Sequence, residues 1–314
     1  MTTWSGFSFP HDLEREIFEM TSLLYPGFIP TLLRVCHRVR VWLEPLLYRV
    51  LVLSDSRRDP EHGLRIVASK PTAFLQKTVR HVLLKVRQAP EQRKLYASLL
   101  AKCSGTISLS IDGEVDRGFL RLLGKMRLQR LGFTVPPFFM KWNRAGFAHP
   151  LFVSVTHLDL YSLGHSDDHD IQKWHGITTL PVLSHLALSP SIATYILPSI
   201  VTQCPRLRAI VVTTHRSRSA DLAFANSLAL ADERIVVMAI RMGYDDDWEL
   251  GVRGGDDFWA RAEAFLARKR AGKVESSCYF LDETPARTPP EGRFSFGNIT
   301  EVPGIGPDIS HFTC

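Results

Sequence analysis

Short apolar stretches recur at a nearly constant spacing along most of the chain. Seven windows share an apolar-x-apolar step, and the steps begin at Val82, Ile107, Leu131, Leu158, Leu186, Ile210 and Ile235. Successive steps are 25, 24, 27, 28, 24 and 25 residues apart. Alternation with a period of two is typical of β-strands. The pattern therefore predicts seven strands, and residues 47–52 (LYRVLV) offer an eighth strand ahead of them.

Helical segments fit between these strands. We expect them at residues 92–101, 115–124, 171–176, 193–202 and 220–230. A period of 20 to 29 residues with an L-x-x-L-x-L pattern is typical of leucine-rich repeats, which stack into a curved solenoid with parallel strands on its concave side. The sequence therefore predicts an irregular solenoid of this type.

Strand alternation also predicts which side chains face solvent on the concave side. We expect a partner-binding row at His81, Arg130, His157, Asp159, Tyr161, His185 and Arg234. His157 and His185 would lie on adjacent strands, so a metal site is conceivable there. No thiolate joins them, however, and a polar row that binds a target protein is the preferred interpretation.

The segment DDFWARAEAFLARKR at residues 256–270 predicts the last helix of this region. Phe258, Ala262, Phe265 and Leu266 lie on one face of it, with acidic residues at its start and basic residues at its end. We expect it to cap the solenoid. After residue 282 the composition shifts to Pro, Gly, Thr and Ser, which predicts a mobile tail.

A different pattern occupies the first fifty residues. In FPHDLEREIFEM, Pro10 suits a first helical turn. Leu13, Ile17, Met20 and Leu24 then recur at helical spacing and form one apolar stripe. YPGF at residues 25–28 ends this helix, and a second apolar helix follows from Pro30.

The order and spacing of these residues resemble an F-box of the type abundant in mushroom-forming fungi. The matching residues are Pro10, Leu13, Ile17, Phe18, Val35, Cys36 and Trp42. The resemblance implies helices that bind a Skp-family adaptor, which connects an F-box protein to a cullin ubiquitin ligase. It implies adaptor contacts by Phe9, Pro10, Leu13, Ile17, Phe18, Leu32 and Val35. Alternatively, the helices only cap the core that follows.

The combined prediction is an α/β protein with a helical F-box-like unit at residues 1–50 and a leucine-rich-repeat-like solenoid with a parallel sheet at 51–282. The tail at 283–314 follows. The expected function is that of a substrate-recruiting subunit of a cullin-type ubiquitin ligase. The alternative is a protein-interaction scaffold that is not coupled to ubiquitin ligation.

Composition excludes several other classes of protein. The chain has 314 residues, 22% of them charged, and a net charge of +6 with both signs interspersed, which makes nucleic-acid binding unlikely. Apolar runs stay short of the ~18 residues that span a bilayer. Five cysteines without a CxxC motif indicate reduced thiols, and therefore a cytoplasmic or nuclear protein.

Two acidic clusters are the remaining candidates for chemistry. HSDDHD at residues 165–170 and GYDDDW at 243–248 lack the spacing of a calcium loop, so we expect both to be solvated loops. No motif surrounds a nucleophile and a base. We therefore predict no catalytic residues, no metal, no cofactor and no enzymatic activity. A hydrolase or metal enzyme built on these clusters is a distant alternative.

Overall fold

The computed structural model describes residues 9–54, 64–65, 67–86, 90–113, 116–135, 146–162, 171–215, 217–228, 230–240 and 243–282. These residues fall into two compact units. Unit 1 contains residues 9–49 together with the described part of 55–69, and unit 2 contains residues 50–54 and 70–282.

Unit 1 is helical. Helix α1 (His11–Leu24) begins directly after Pro10, with Asp12 and Glu14 in its first turn, where they lie near the positive end of the helix dipole. A 3₁₀ turn (Pro26–Phe28), the short helix α2 (Ile29–Leu32) and α3 (His37–Leu47) follow.

A small apolar core holds these helices together. Cys36, Val39 and Leu43 form its centre, and the partly buried side chains packed against them are Phe18, Leu32, Leu33, Trp42 and Leu46. Arg38 adds a polar connection, because its guanidinium lies 2.8 Å from the Glu14 carboxylate on α1 and 5.6 Å from the ring centroid of Trp42. The fold of unit 1 therefore depends on one side of α1.

Unit 2 is built on one parallel sheet. Its described strands are β1 (Val50–Leu53), β2 (His81–Val86), β3 (Ser108–Gly113), β4 (Arg130–Val135), β5 (His157–Ser162), β6 (His185–Leu188), β7 (Ala209–Thr214), β8 (Ile235–Ala239) and β9 (Phe280–Leu281). They pair in sequential order, all parallel.

The helices described in unit 2 are α4 (Thr72–Thr78), α5 (Pro90–Lys102), α6 (Arg117–Leu123), α7 (Pro190–Gln203), α8 (Arg218–Ser227), α9 (Tyr244–Val252) and α10 (Phe258–Arg270). Three 3₁₀ segments lie at Gly146–Ala148, Pro150–Phe152 and Ile171–Thr179. Since parallel crossovers are right-handed and each leads to the next strand along, α4 to α8 fall on one face of the sheet.

The first face of the sheet, beneath these crossovers, is mainly apolar. One buried row crosses seven strands in register: Val82, Leu109, Leu131, Leu158, Leu186, Ile210 and Ile235. The sequence placed Ile107 in this row. That assignment is wrong, because β3 starts at Ser108 and Leu109 pairs with Val82.

The second face is covered as well. Helix α10 packs there through Phe258, Trp259 and Phe265 against strand residues that include Val211 and Met238. Helix α9 covers the first strands, where Trp248 contacts Val50 and Leu83. The C-terminal helices therefore fold back over the sheet and do not cap its end, as α10 was expected to do.

This architecture corrects the predicted fold class. The chain is an α/β protein with a nine-stranded all-parallel sheet and helices on both faces, and not a helical F-box-like unit followed by a leucine-rich-repeat-like solenoid. Such a solenoid presents a concave face to its partners. Here α9 and α10 occupy that face, as expected for an all-parallel sheet, which is normally covered on both faces.

Replacing Trp259 with alanine tests the importance of the covered second face. Trp259 is 7% exposed and packs between α10 and the sheet. We expect Trp259→Ala to lower the free energy of unfolding by about 3 to 5 kcal/mol, because a large buried ring is lost and a cavity remains. Urea denaturation followed by circular dichroism measures the change.

Val153→Ala is the control, since Val153 is 63% exposed and its truncation should change the free energy by less than about 0.5 kcal/mol. Equal stabilities of the two variants would contradict the role assigned to α10.

Candidate functional site

The surface of unit 1 carries a row of exposed apolar side chains along α1. Leu13, Ile17, Met20 and Leu24 are 43%, 46%, 53% and 63% exposed. Their spacing of four, three and four residues places them on one face of the helix. We call this set the α1 stripe. It lies outside the core that holds unit 1 together, so its apolar character is not needed for that core.

The residues predicted to contact an adaptor divide into two groups. Phe9, Pro10, Leu13, Ile17 and Val35 are exposed. Phe18 and Leu32 instead pack against the core of unit 1, so their contribution is structural. The predicted adaptor contacts leave out six further exposed apolar side chains of unit 1: Met20, Leu23, Leu24, Tyr25, Phe28 and Val41.

The row predicted to bind a target protein is only partly where the sequence placed it. His81, Arg130, His157, Asp159, Tyr161 and His185 do share the second face of the sheet. Their predicted exposure is wrong for His81, Asp159 and His185, which are 9%, 4% and 7% exposed, because the C-terminal helices cover this face.

Arg234 lies elsewhere. It forms an ion pair with Asp232 and donates hydrogen bonds to the backbone carbonyls of Val201, Cys204 and Leu207. These carbonyls are at the end of α7 and just beyond it, where helix C=O groups lack partners within the helix. Arg234 therefore stabilises a helix terminus and does not join the second-face row.

His157 and His185 form a stacked pair. Their ring centroids are 4.0 Å apart with planes at 7°, and Trp259 meets both rings edge-on. Burial, followed by the neighbouring charges, lowers the pKa of His157 to about 3. Burial also lowers the pKa of His185, whose Nε2 lies 2.7 Å from Glu263. Among the described residues, no group of three His, Cys, Asp or Glu side chains could hold a metal ion.

The GYDDDW cluster is not a solvated loop, and this corrects the sequence prediction. It forms the start of α9, with Asp245 and Asp247 buried. Asp247 accepts a hydrogen bond from the Phe258 backbone N–H at 2.8 Å and pairs with Arg261 at 2.8 Å, which connects α9 to α10. The HSDDHD cluster and the predicted tail at 283–314 lie outside the described residues.

A cavity of about 420 Å³ opens in unit 2 where the strands end. We call it the strand-end cavity. The carboxyl ends of strands in open parallel α/β sheets are a common position for ligand sites. Its polar lining includes Lys85, Asp112, Asp159, Tyr161, Tyr244 and Asp245.

Most polar groups of this lining have partners within the protein. Asp245 accepts a hydrogen bond from Ser54 Oγ at 2.6 Å and pairs with Lys85 Nζ at 3.0 Å. Tyr244 reaches the sheet because residue 132 is glycine, since a Cβ there would lie 2.6 Å from the tyrosine oxygen. Ser110 Oγ donates to that same oxygen at 3.3 Å.

Asp159 is different. It is 4% exposed, and neither carboxylate oxygen makes a hydrogen bond of acceptable geometry with any described residue. Burial and, to a smaller extent, the charge of Asp247 raise the pKa of Asp159 to about 7, while the nearby Tyr244 hydroxyl opposes part of this rise. The sequence could not reveal this cavity, because its groups come from separate strands and from α9.

Comparison with known proteins gives little further information. No family model matches the chain, and no curated protein matches it. A solved structure of a putative phosphonomutase from Burkholderia cenocepacia J2315 is similar over 74% of this chain and 97% of its own, with 10% identity and a TM-score of 0.27. None of the described helices combines the length and the apolar character needed to cross a membrane.

The prediction that the protein is not an enzyme is contradicted and withdrawn. The prediction depended on the lack of a local motif, whereas the strand-end cavity gathers carboxylates, a lysine and tyrosines that are far apart in the sequence.

Asp159→Asn should remove a pH dependence of stability. The raised pKa means that the folded state binds more protons than the unfolded state between about pH 4 and 7, so Asp159 lowers stability as the pH rises through that window. We expect the variant to match wild type near pH 4 and to exceed it near pH 8 by a margin on the order of a few kcal/mol. Urea denaturation at both pH values measures this.

Asp112→Asn is the control variant for this measurement. Asp112 lines the same cavity but already accepts a hydrogen bond from Thr134 at 2.8 Å. A constant stability difference between Asp159→Asn and wild type across this pH range would contradict the assignment.

Proposed function

We propose that unit 1 docks onto a Skp-family adaptor and that the protein is a substrate-recruiting subunit of a cullin-type ubiquitin ligase. The exposed α1 stripe is the observation that carries the proposal, because it contains Leu13 and Ile17, two of the residues on which the F-box resemblance depends. Such a subunit holds a target protein near a transferring enzyme and so supplies proximity and orientation. It would act in the cytoplasm or the nucleus.

The geometry of α1 suits this role. An amphipathic helix binds a partner by laying apolar residues at steps of three and four into a groove. In unit 1 the opposite side of α1 is held by Phe18 in the core and by the pairing of Glu14 with Arg38. The α1 stripe is therefore presented on a fixed helix, and less conformational entropy is lost when the stripe is buried.

The α1 stripe has the character of an interaction site. Its four side chains are each at least 43% exposed, and clustered exposed apolar side chains mark interaction sites. A surface of this kind also fits the alternative, a protein-interaction scaffold without ligase coupling. We assign target binding to unit 2, where Arg130 of the predicted row keeps 39% of its side chain exposed.

Co-expression with a fungal Skp-family adaptor and affinity capture tests the proposal. We expect wild type to co-purify with the adaptor and the double variant Leu13→Glu/Ile17→Glu to lose it, because two carboxylates would have to be buried in an apolar groove. Glutamate keeps a high helix propensity, so α1 should remain folded. Circular dichroism verifies this.

Val153→Glu/Val182→Glu is the matched control, since both valines are exposed apolar residues of unit 2, at 63% and 46%. Capture should persist in this variant. If folded wild type captures no adaptor, the ligase role is rejected, and the scaffold alternative is retained.

A further inference from the structure

The strand-end cavity has the dimensions of a small-molecule site. Its volume of about 420 Å³ falls within the ~300–1,000 Å³ usual for ligand pockets. Leu83, Leu84 and Pro190 supply apolar wall, and the polar groups converge from several strands and the start of α9. The cavity lies wholly within unit 2, so it is independent of the α1 stripe and of the function proposed for unit 1.

Asp159 is the group in this cavity that needs a ligand. A buried carboxylate without hydrogen bonds is costly, and buried polar groups in proteins are nearly always satisfied. Asp221, the other buried aspartate whose oxygens lack partners among the described residues, lies in the first turn of α8, where the helix dipole favours a negative charge. Asp159 lies within strand β5, where no helix dipole compensates its charge and the Tyr244 hydroxyl offsets the cost of burial only in part.

The charges of the lining residues indicate whether the cavity attracts an anion or a cation. Among the described residues of the lining, three carboxylates, those of Asp112, Asp159 and Asp245, face one lysine and one histidine, His215. Lys85 is already paired with Asp245 at 3.0 Å. The described lining therefore repels an anion and attracts a cation.

Two aromatic rings favour an organic cation over a metal ion. The ring centroids of Tyr161 and Tyr244 are 5.2 Å apart with planes at 47°. Tyr161 donates its hydroxyl proton to the Ile111 carbonyl at 3.3 Å, and the Tyr244 oxygen accepts from Ser110. The Tyr244 hydroxyl proton is left to interact with Asp159, and both rings line the cavity, where they can attract an ammonium group and cover a short carbon chain.

We propose that the strand-end cavity binds a small organic cation, whose ammonium group donates hydrogen bonds to the carboxylate of Asp159 and whose carbon chain packs against Tyr161 and Tyr244. The ammonium adds donors to the one that the Tyr244 hydroxyl offers Asp159 within the protein. Burial of the aliphatic part against the rings and Leu83 adds affinity. The recognised chemistry is a primary amine on an aliphatic chain.

Isothermal titration calorimetry at pH 8 with 1,4-diaminobutane tests this proposal. The isosteric neutral probe is 1,4-butanediol, and inorganic phosphate is the anionic probe. We expect the diamine to bind wild type with a dissociation constant of about 1 mM or tighter, and the other two probes to show no binding. Asp159→Asn should weaken diamine binding at least about tenfold, because hydrogen bonds to charged groups are among the strong ones.

Asp221→Asn is the control variant, because Asp221 is also a buried aspartate with unpartnered oxygens but does not line the cavity. It should bind the diamine as wild type does. Thermal unfolding verifies that both variants are folded. Three results would overturn the proposal: no diamine binding by folded wild type, equal binding of the diol, or unchanged diamine affinity in Asp159→Asn.

Discussion

The requirement that polar side chains on a buried sheet face find partners governs much of unit 2. Its second face carries histidines, serines, an arginine and an aspartate, and α9 and α10 cover most of them. The covering helices supply the matching groups: Glu263 for His185, Asp257 for Arg130 and Tyr244 for Ser110. Since an unpaired buried polar group costs free energy, these contacts fix where the helices sit. Among the described residues of this face, Ser108 and Asp159 keep buried oxygens without a well-formed hydrogen bond, and Asp159 lines the strand-end cavity.

The two units differ in how much of their apolar surface is covered by the unit itself. Unit 2 covers both faces of its sheet with its own helices. Unit 1 buries one side of α1 against α3 and leaves the other side apolar and exposed. An exposed apolar helix face is a liability for a protein on its own. Its presence is consistent with a surface that is covered by another chain.

The sequence predicted local structure well and long-range packing poorly. The period of apolar steps located the parallel strands, and the spacing of Leu13, Ile17, Met20 and Leu24 identified the α1 stripe. Both signals are local. The register of β3 was misassigned because Ile107 and Leu109 both fit the alternation. The return of α9 and α10 over the sheet leaves no local signal in the sequence, so Asp245 and Asp247 were predicted to be loop residues. In the structure Asp245 pairs with Lys85 and Ser54. Asp247 pairs with Phe258 and Arg261.

The hydrogen bond between Ser54 and Asp245 joins residues 191 positions apart. During synthesis of the chain it can therefore form only after almost all of the sheet has been made. Neighbouring strands can pair one after another as the chain leaves the ribosome, since each contacts the one just made. The second face, with Val211, Val236 and Met238, stays open until residues 244–270 have emerged. The apolar part of that face is therefore made late, at residues 211–238, and stays uncovered until α10 has folded over it, which makes partly synthesised chains prone to aggregate at that stage.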